Sequence, residues 1–213
     1  MHVKHTPVLY QTYMKDFQFI LEDYLTESAT IQMYHGGNLE LTPRGDLHPD
    51  MFDKVPASKR QEYGPGLYLT TSEKVVEKYA KGSRKLYKIT LKRGRDISDV
   101  KLPISAIDEL AESMGKAKVK KIKERIEGSR FEENGKVGAY IILNFCVNDK
   151  LLQTERGRRG MRDFLVKHGI DYELHQSPFG WKESMIVLFN LKLIQKVEQL
   201  NKKDVIDSLP NVQ

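Results

Sequence analysis

One stretch constrains the fold of this chain more than any other: Gly64-Pro65-Gly66-Leu67-Tyr68-Leu69-Thr70-Thr71-Ser72, running on to Tyr79-Ala80. Gly66 to Leu69 has the apolar character of a short strand, and the two glycines before it permit a tight turn and a close backbone approach to a ligand. Thr70 and Glu73 have capping-box spacing, which predicts a helix from there to about Lys81, ended by Gly82. A strand carrying Tyr68 then faces a helix carrying Tyr79. Two tyrosines so placed can enclose a flat ring, or can serve as half-buried core residues.

Upstream, Leu9, Tyr13, Phe17, Ile20, Leu21 and Tyr24 recur at helical spacing, predicting one amphipathic helix over about residues 8–26. Ile31 to His35 alternates as a strand and Gly36-Gly37 stops it, while residues 38–63 are loop-like. Downstream, Leu86 to Leu91 forms a strand closed by Arg93-Gly94. Residues 104–127 predict a helix split by Gly115, its second half carrying Lys116, Lys118, Lys120, Lys121, Lys123 and Arg125. The run over 138–152 fits a buried helix or a strand. Arg156 to His168 predicts a helix with Met161, Phe164 and Leu165 inward and Arg156, Arg158, Arg159 and Arg162 outward. Ile170 to Leu174 and Met185 to Phe189 are strands about a loop, and the tail from Leu191 is polar and partly helical.

At 213 residues, with no composition break or repeat, a single domain over 1–213 is expected. Its parts are an N-terminal helix within 1–30, a core over 31–198 with a basic helical insertion at 104–127, and a tail over 199–213. The lone Cys146, inside an apolar run, excludes an internal disulfide framework and a multi-cysteine zinc site. No apolar block opens the chain, so a cytoplasmic protein is expected, without membrane or metal. The net charge of +6 and pI of about 9.2 suit an anionic partner.

His35-Gly36 on a strand, Tyr68 on the Gly-x-Gly-x-Tyr strand, and Glu183 before a late apolar strand form an ordered trio. This trio resembles the His-Tyr-Glu triad of ADP-ribosyltransferases of the diphtheria-toxin and poly(ADP-ribose)-polymerase type. Tyr79, eleven residues after Tyr68, matches that family's second stacking tyrosine. Gly169-Ile170-Asp171, then Glu183 leading into Ile186 to Asn190, is similar to the closing pattern of small bacterial members. The resemblance spans roughly residues 31–198 and implies an α+β fold, with a split, twisted antiparallel β-sheet core and flanking helices. It also implies NAD as co-substrate, and in members of this kind often a toxin held by an inhibitory antitoxin protein or acting in phage defence. Val76 stands where a serine is frequent, and Trp181 where arginine-modifying toxins carry Glu or Gln.

The chemistry fits these residue types. Cleaving the nicotinamide–ribose bond builds positive charge on the ribose, as in glycoside hydrolysis, and a fixed carboxylate stabilises it. The resemblance gives that part to Glu183, with Glu173 as the alternative carboxylate. Tyr68 and Tyr79 stack the nicotinamide, Gly36 bonds its carboxamide, and His35 bonds a hydroxyl of the adenosine ribose. Lys59 and Arg60 suit the pyrophosphate. For the acceptor, the two basic helices (Lys120, Lys121 and Lys123 foremost) and the aromatics Phe179 and Trp181 point to nucleic acid, specifically RNA. A compact chain suits mono-ADP-ribosylation. The alternatives are a protein-modifying enzyme, an RNA 2′-phosphotransferase-like enzyme, which would lack the glutamate, and an inactive binding module.

Overall fold

In the computed structural model the described residues are 30–43, 47, 64–72, 85–176 and 184–200. The predicted N-terminal helix, the helix after Thr70, the loop before Ser184 and the last residues of the tail lie outside them. Six strands form one antiparallel sheet: β1 (Thr30–Gly37), β2 (Leu67–Thr70), β3 (Lys85–Lys92), β7 (Tyr172–Gln176), β8 (Ser184–Leu188) and β9 (Ile194–Leu200), in the order β7-β8-β2-β1-β3-β9. A small sheet joins β4 (Lys101–Pro103), β6 (Lys136–Gly138) and β5 (Glu132–Glu133) in that order. The helices are α1 (Ala111–Met114), α2 (Lys116–Ile126), α3 (Ala139–Asn148) and α4 (Glu155–Lys167).

Alternation decides which face of the large sheet each side chain meets. Ile31, Met33, Leu69, Ile89, Ile186 and Leu188 share one face and one buried cluster. Val187, on the opposite face, joins the larger cluster that the helices complete with Ile107, Ile122, Ile142, Met161 and Leu165. The molecule is α+β, with the described helices gathered in one buried cluster on that face.

Local signals explain most element ends. Gly115, at φ +94°, splits the 104–127 segment as expected, although its first part, Ile104–Leu110, is a 3-10 helix. In α4, Thr154 caps the N-terminus by accepting from Gly157 N at 3.1 Å. Gly169, at φ +70°, ends it in a Schellman motif, with Ile170 N donating to Leu165 O and Gly169 N to Val166 O, each at 3.0 Å. The 138–152 run is helix α3 from Ala139 to Asn148, with buried residues on most sides, so no polar face set a period, and a 3-10 turn begins at Leu151.

Two expectations need correction. As far as Leu200, the last described residue, the tail is a 3-10 turn (Leu191–Leu193) and then strand β9, paired with β3. A bulge places Leu91 opposite Ile194 but Thr90 opposite Lys196, so Ile194 and Val197, three apart like helix neighbours, both meet the sheet core. Arg158 points inward, 7% exposed, because it shares the inner stripe of α4 with Met161 and Leu165. Its guanidinium donates to the Leu152 and Gln153 carbonyls at 3.3 and 3.1 Å.

Among the described residues no helix is long and apolar enough to cross a membrane. Cys146 is fully buried in the helical cluster, and burial, with Asp149 adding to it, pushes its thiol up to about 12, so it is inert.

Candidate active site

The three strands carrying or adjoining the trio are neighbours in the middle of the sheet, in the order β8-β2-β1. β1 runs fully paired with β3 from Thr30↔Lys92 to Gly37↔Lys85, and β2 with β8 from Leu67↔Leu188 to Thr70↔Met185. Between β1 and β2, however, the only pairing is Tyr34↔Thr70. Beyond that pair no ladder pairing joins the two strands, and this unladdered notch is flanked by His35, Gly36 and Gly37 on one side and Tyr68 on the other.

In this notch a side chain replaces the missing ladder bond. His35 Nδ1 lies 2.9 Å from the Tyr68 carbonyl oxygen. A carbonyl only accepts, so Nδ1 carries the proton and Nε2 keeps its lone pair. Burial lowers the His35 pKa below its ordinary value of 6.5, outweighing the Tyr68 hydrogen bond that raises it, so the ring is neutral at pH 7. Gly37 keeps Nε2 clear: a Cβ there would sit 2.9 Å from that nitrogen. Tyr87, opposite His35 on β3, packs a tilted ring 6.5 Å away.

Tyr68 meets His35 through its backbone, and its ring turns to the other face, against the helical cluster. Its hydroxyl donates to Gly64 O at 3.0 Å, stiffening the turn before β2. The two glycines there serve packing. Gly64, at φ +110°, lies over Leu143 of α3, and a Cβ on Gly66 would meet Leu188 O and Val187 at 2.7 Å. The close approach that Gly66 permits is therefore to β8, where a ligand approach was expected.

Glu183, Tyr79, Lys59, Arg60, Phe179, Trp181 and Val76 lie outside the described residues. Ser184, the residue after Glu183, is buried and fastened to the end of β2: its amide donates to Thr71 Oγ1 at 3.1 Å, and Thr71 N donates to its carbonyl at 3.0 Å. Thr70 Oγ1 accepts from Ser72 N at 3.2 Å, closing a side-chain turn where the capping box was expected to start.

The alternative carboxylate, Glu173, is 8% exposed and lies 3.2 Å, Oε2 to Nε2, from His175. On α2, Lys123 is held by Asp108 at 2.6 Å and Lys120 by Glu124 at 3.7 Å, whereas Lys116, Lys118 and Lys121 are exposed. Arg125 is bound to Asp149 and lies over the Phe145 ring. On α4, Arg159 pairs with Glu155 and Arg162 with Asp163. Sequence charge alone thus overstated the unengaged basic surface. Among the described residues no group of three or more His, Cys, Asp or Glu is placed to hold a metal ion.

No protein-family model matches the chain, and no curated protein does. One solved structure, described as the crystal structure of an anti-CRISPR protein, is similar with a TM-score of 0.35 and 14% identity, over 81% of this chain and 97% of that one. A likeness that weak carries no argument.

Proposed function

We propose that this chain is an NAD-dependent mono-ADP-ribosyltransferase built on a split antiparallel sheet. The observation that carries the reading is the notch between β1 and β2, where His35 bonds the Tyr68 carbonyl and presents a neutral Nε2 acceptor beside Gly37. A ribose hydroxyl is the kind of donor such a nitrogen takes. The adjacency of β1, β2 and β8 supports it further, because residues 33 to 149 positions apart in sequence converge there only through the sheet order: His35, Tyr68, and Ser184 directly after Glu183 in sequence. NAD would lie in the notch, its adenosine ribose on His35 and its carboxamide toward Gly36.

In this reaction the bond between ribose C1′ and the nicotinamide nitrogen breaks, its electron pair leaving with nicotinamide. Glu183 stabilises the positive charge at C1′ as the acceptor's nucleophile forms its new bond there. For the acceptor we favour RNA, on the exposed Lys116, Lys118 and Lys121 of α2.

The test is adenine-labelled NAD incubated with the protein and cell lysate, split into RNA and protein fractions, with free nicotinamide measured. Wild type is expected to release nicotinamide and label RNA. Glu183→Gln is expected to lose transfer on the order of 10²–10³-fold while still binding NAD. A Glu183→Gln variant with wild-type transfer would remove the glutamate's role. Label confined to protein would remove RNA as acceptor.

A further inference from the structure

We infer that the outer side of α2 and α3 is a docking surface for unpaired RNA. The guanidiniums of Arg125 and Arg130 are the platforms for its bases, and Lys118 and Lys121 are the partners of its phosphates. The inference rests on the reading of RNA as acceptor and names the form of RNA. It concerns docking alone and takes nothing from the transfer step.

The surface is built from the core outward. Phe145, on α3, and Phe131, in the turn between α2 and β5, are half-buried and pack against the helical cluster. Their rings meet edge to face, with centroids 6.2 Å apart and planes at 81°. Each ring carries a guanidinium: that of Arg125 lies 4.2 Å from the centre of the Phe145 ring, and that of Arg130 5.1 Å from the centre of the Phe131 ring. The turn that carries Arg130 and Phe131 is fixed by its own bonds. Ser129 Oγ donates to Ile126 O at 2.6 Å and accepts from Phe131 N at 3.2 Å, and Gly128 N donates to Glu132 Oε2 at 2.6 Å. Both guanidiniums are thus positioned in the free protein, which lowers the ordering cost of binding.

Packing accounts for the two rings but not for the guanidiniums over them. Arg125 spends one nitrogen, Nη1, on Asp149 at 2.9 and 2.7 Å, and its side chain is still 49% exposed. Its Nε and Nη2 have no hydrogen-bond partner among the described residues, and Arg130, also exposed, has none at all among them. Lys118, Lys121 and Arg125, at steps of three and four, share one side of α2, and both lysines are exposed. Lys116, Lys120 and Lys123 lie on the other side, along a groove with Asp108 and Glu127. The remaining acids of this region are engaged elsewhere: Glu124 by Lys120, Glu132 by the Gly128 amide and Glu133 by Lys101. A polyanion approaching this side therefore meets uncompensated positive charge.

The chemistry of such a row selects its partner. Lysines alone take any polyanion, duplex or single-stranded. A guanidinium backed by a ring offers its far side to a second π-system, and a base presents one only where it is unpaired and unstacked. The free N–H edge of the same guanidinium takes a phosphate oxygen. An ammonium has no plane to stack, so the division of labour is planar groups at 125 and 130 and point charges at 118 and 121. An acidic peptide would meet the same charges but gain nothing from the planes.

The experiment measures, without NAD, the fluorescence anisotropy of a short labelled RNA of adenine and cytosine only, which cannot pair with itself, and of the same strand annealed to its complement. Nicotinamide release from NAD and melting temperature are followed separately. Wild type is expected to bind the single strand at least about fivefold more tightly than the duplex. Arg125→Lys combined with Arg130→Lys keeps the charge and removes the planes. At roughly threefold per exposed cation–π contact, it should weaken single-strand binding about tenfold and leave the salt slope and duplex affinity unchanged. Arg130→Lys alone, at a side chain with no hydrogen bond to lose, should account for about threefold at an unchanged melting temperature. Arg125→Ala with Arg130→Ala should make the slope of log affinity against log salt shallower by about 1.4, at roughly 0.7 per phosphate contact. Equal affinity for strand and duplex, or a double lysine variant that binds the strand within about twofold of wild type, would reduce the surface to bare charge and overturn the inference. So would polyglutamate of matched charge displacing the RNA as well as unlabelled RNA does, since the partner would then be an acidic protein. Wild type that releases nicotinamide but does not bind the strand would overturn this inference and leave the transferase reading intact. Wild type that binds the strand with the expected variant losses but releases no nicotinamide would do the reverse.

Discussion

At the scale of single residues, His35 is decisive because its state follows from its surroundings. Its Nδ1–H is spent on Tyr68 O, and burial holds its pKa below 6.5. The folded protein therefore takes up this proton less readily than the unfolded chain. The His35 contribution to stability is present above pH 6.5 and is lost as pH falls through the lower folded value. NAD affinity should follow the same sign, since protonation turns the Nε2 acceptor into a donor. We expect affinity measured by calorimetry to be level between pH 8 and 6.5 and to weaken below that, with the weakening abolished in His35→Ala. Affinity that instead drops between pH 8 and 7 would contradict a neutral His35. The sequence disclosed the residue types at this position and their order along the chain. It did not disclose that the imidazole and the Tyr68 ring leave on opposite faces, because that depends on how β1 registers against β2 and β3. Nor did it separate Glu173 and His175 from solvent-facing polar residues: in Tyr172-Glu173-Leu174-His175 the alternation is plain, but which face is covered by helices is set by elements far away in the chain.

At the scale of elements, long alternating or amphipathic segments were legible and short or interrupted ones were not. β1, β3, β8 and α4 announced themselves by spacing. β4, β5 and β6 are two or three residues long, too short for any period, although Asn134-Gly135 at φ +53° and +72° is a hairpin turn signal. A bulge disguised β9. Helix α2 carries a prediction of its own. Lys116 and Lys118 occupy its first turn, where the helix dipole disfavours cations and no acidic residue offsets them. Replacing Lys116, Lys118 and Lys121 by Glu should therefore leave the melting temperature unchanged or raise it. If RNA docks here, the slope of log affinity against log salt should become shallower by about two, from three lost phosphate contacts at roughly 0.7 each. An unchanged slope would place RNA elsewhere. Lys120 and Lys123 are spared in that variant because Glu124 and Asp108 already engage them.

At the scale of the whole molecule, the sheet order does what the sequence only suggests. Strands β1, β2 and β8 are central and adjacent, and the stretch between β1 and β2 is left largely unpaired while β1–β3 and β2–β8 are paired along their length. The net charge of +6 gives this molecule an attractive field for a dinucleotide or a polynucleotide alike, so charge cannot distinguish them. Binding at the notch can. The most direct measurement is calorimetric titration of NAD into wild type and into His35→Ala, with nicotinamide release followed on the same samples and melting temperatures checked. Wild type is expected to bind NAD and release nicotinamide, and His35→Ala to bind about tenfold more weakly at an unchanged melting temperature, the scale of one lost hydrogen bond. Wild-type protein that neither binds NAD nor releases nicotinamide, or a His35→Ala variant that binds NAD as tightly as wild type, would contradict the reading of the notch as the NAD site.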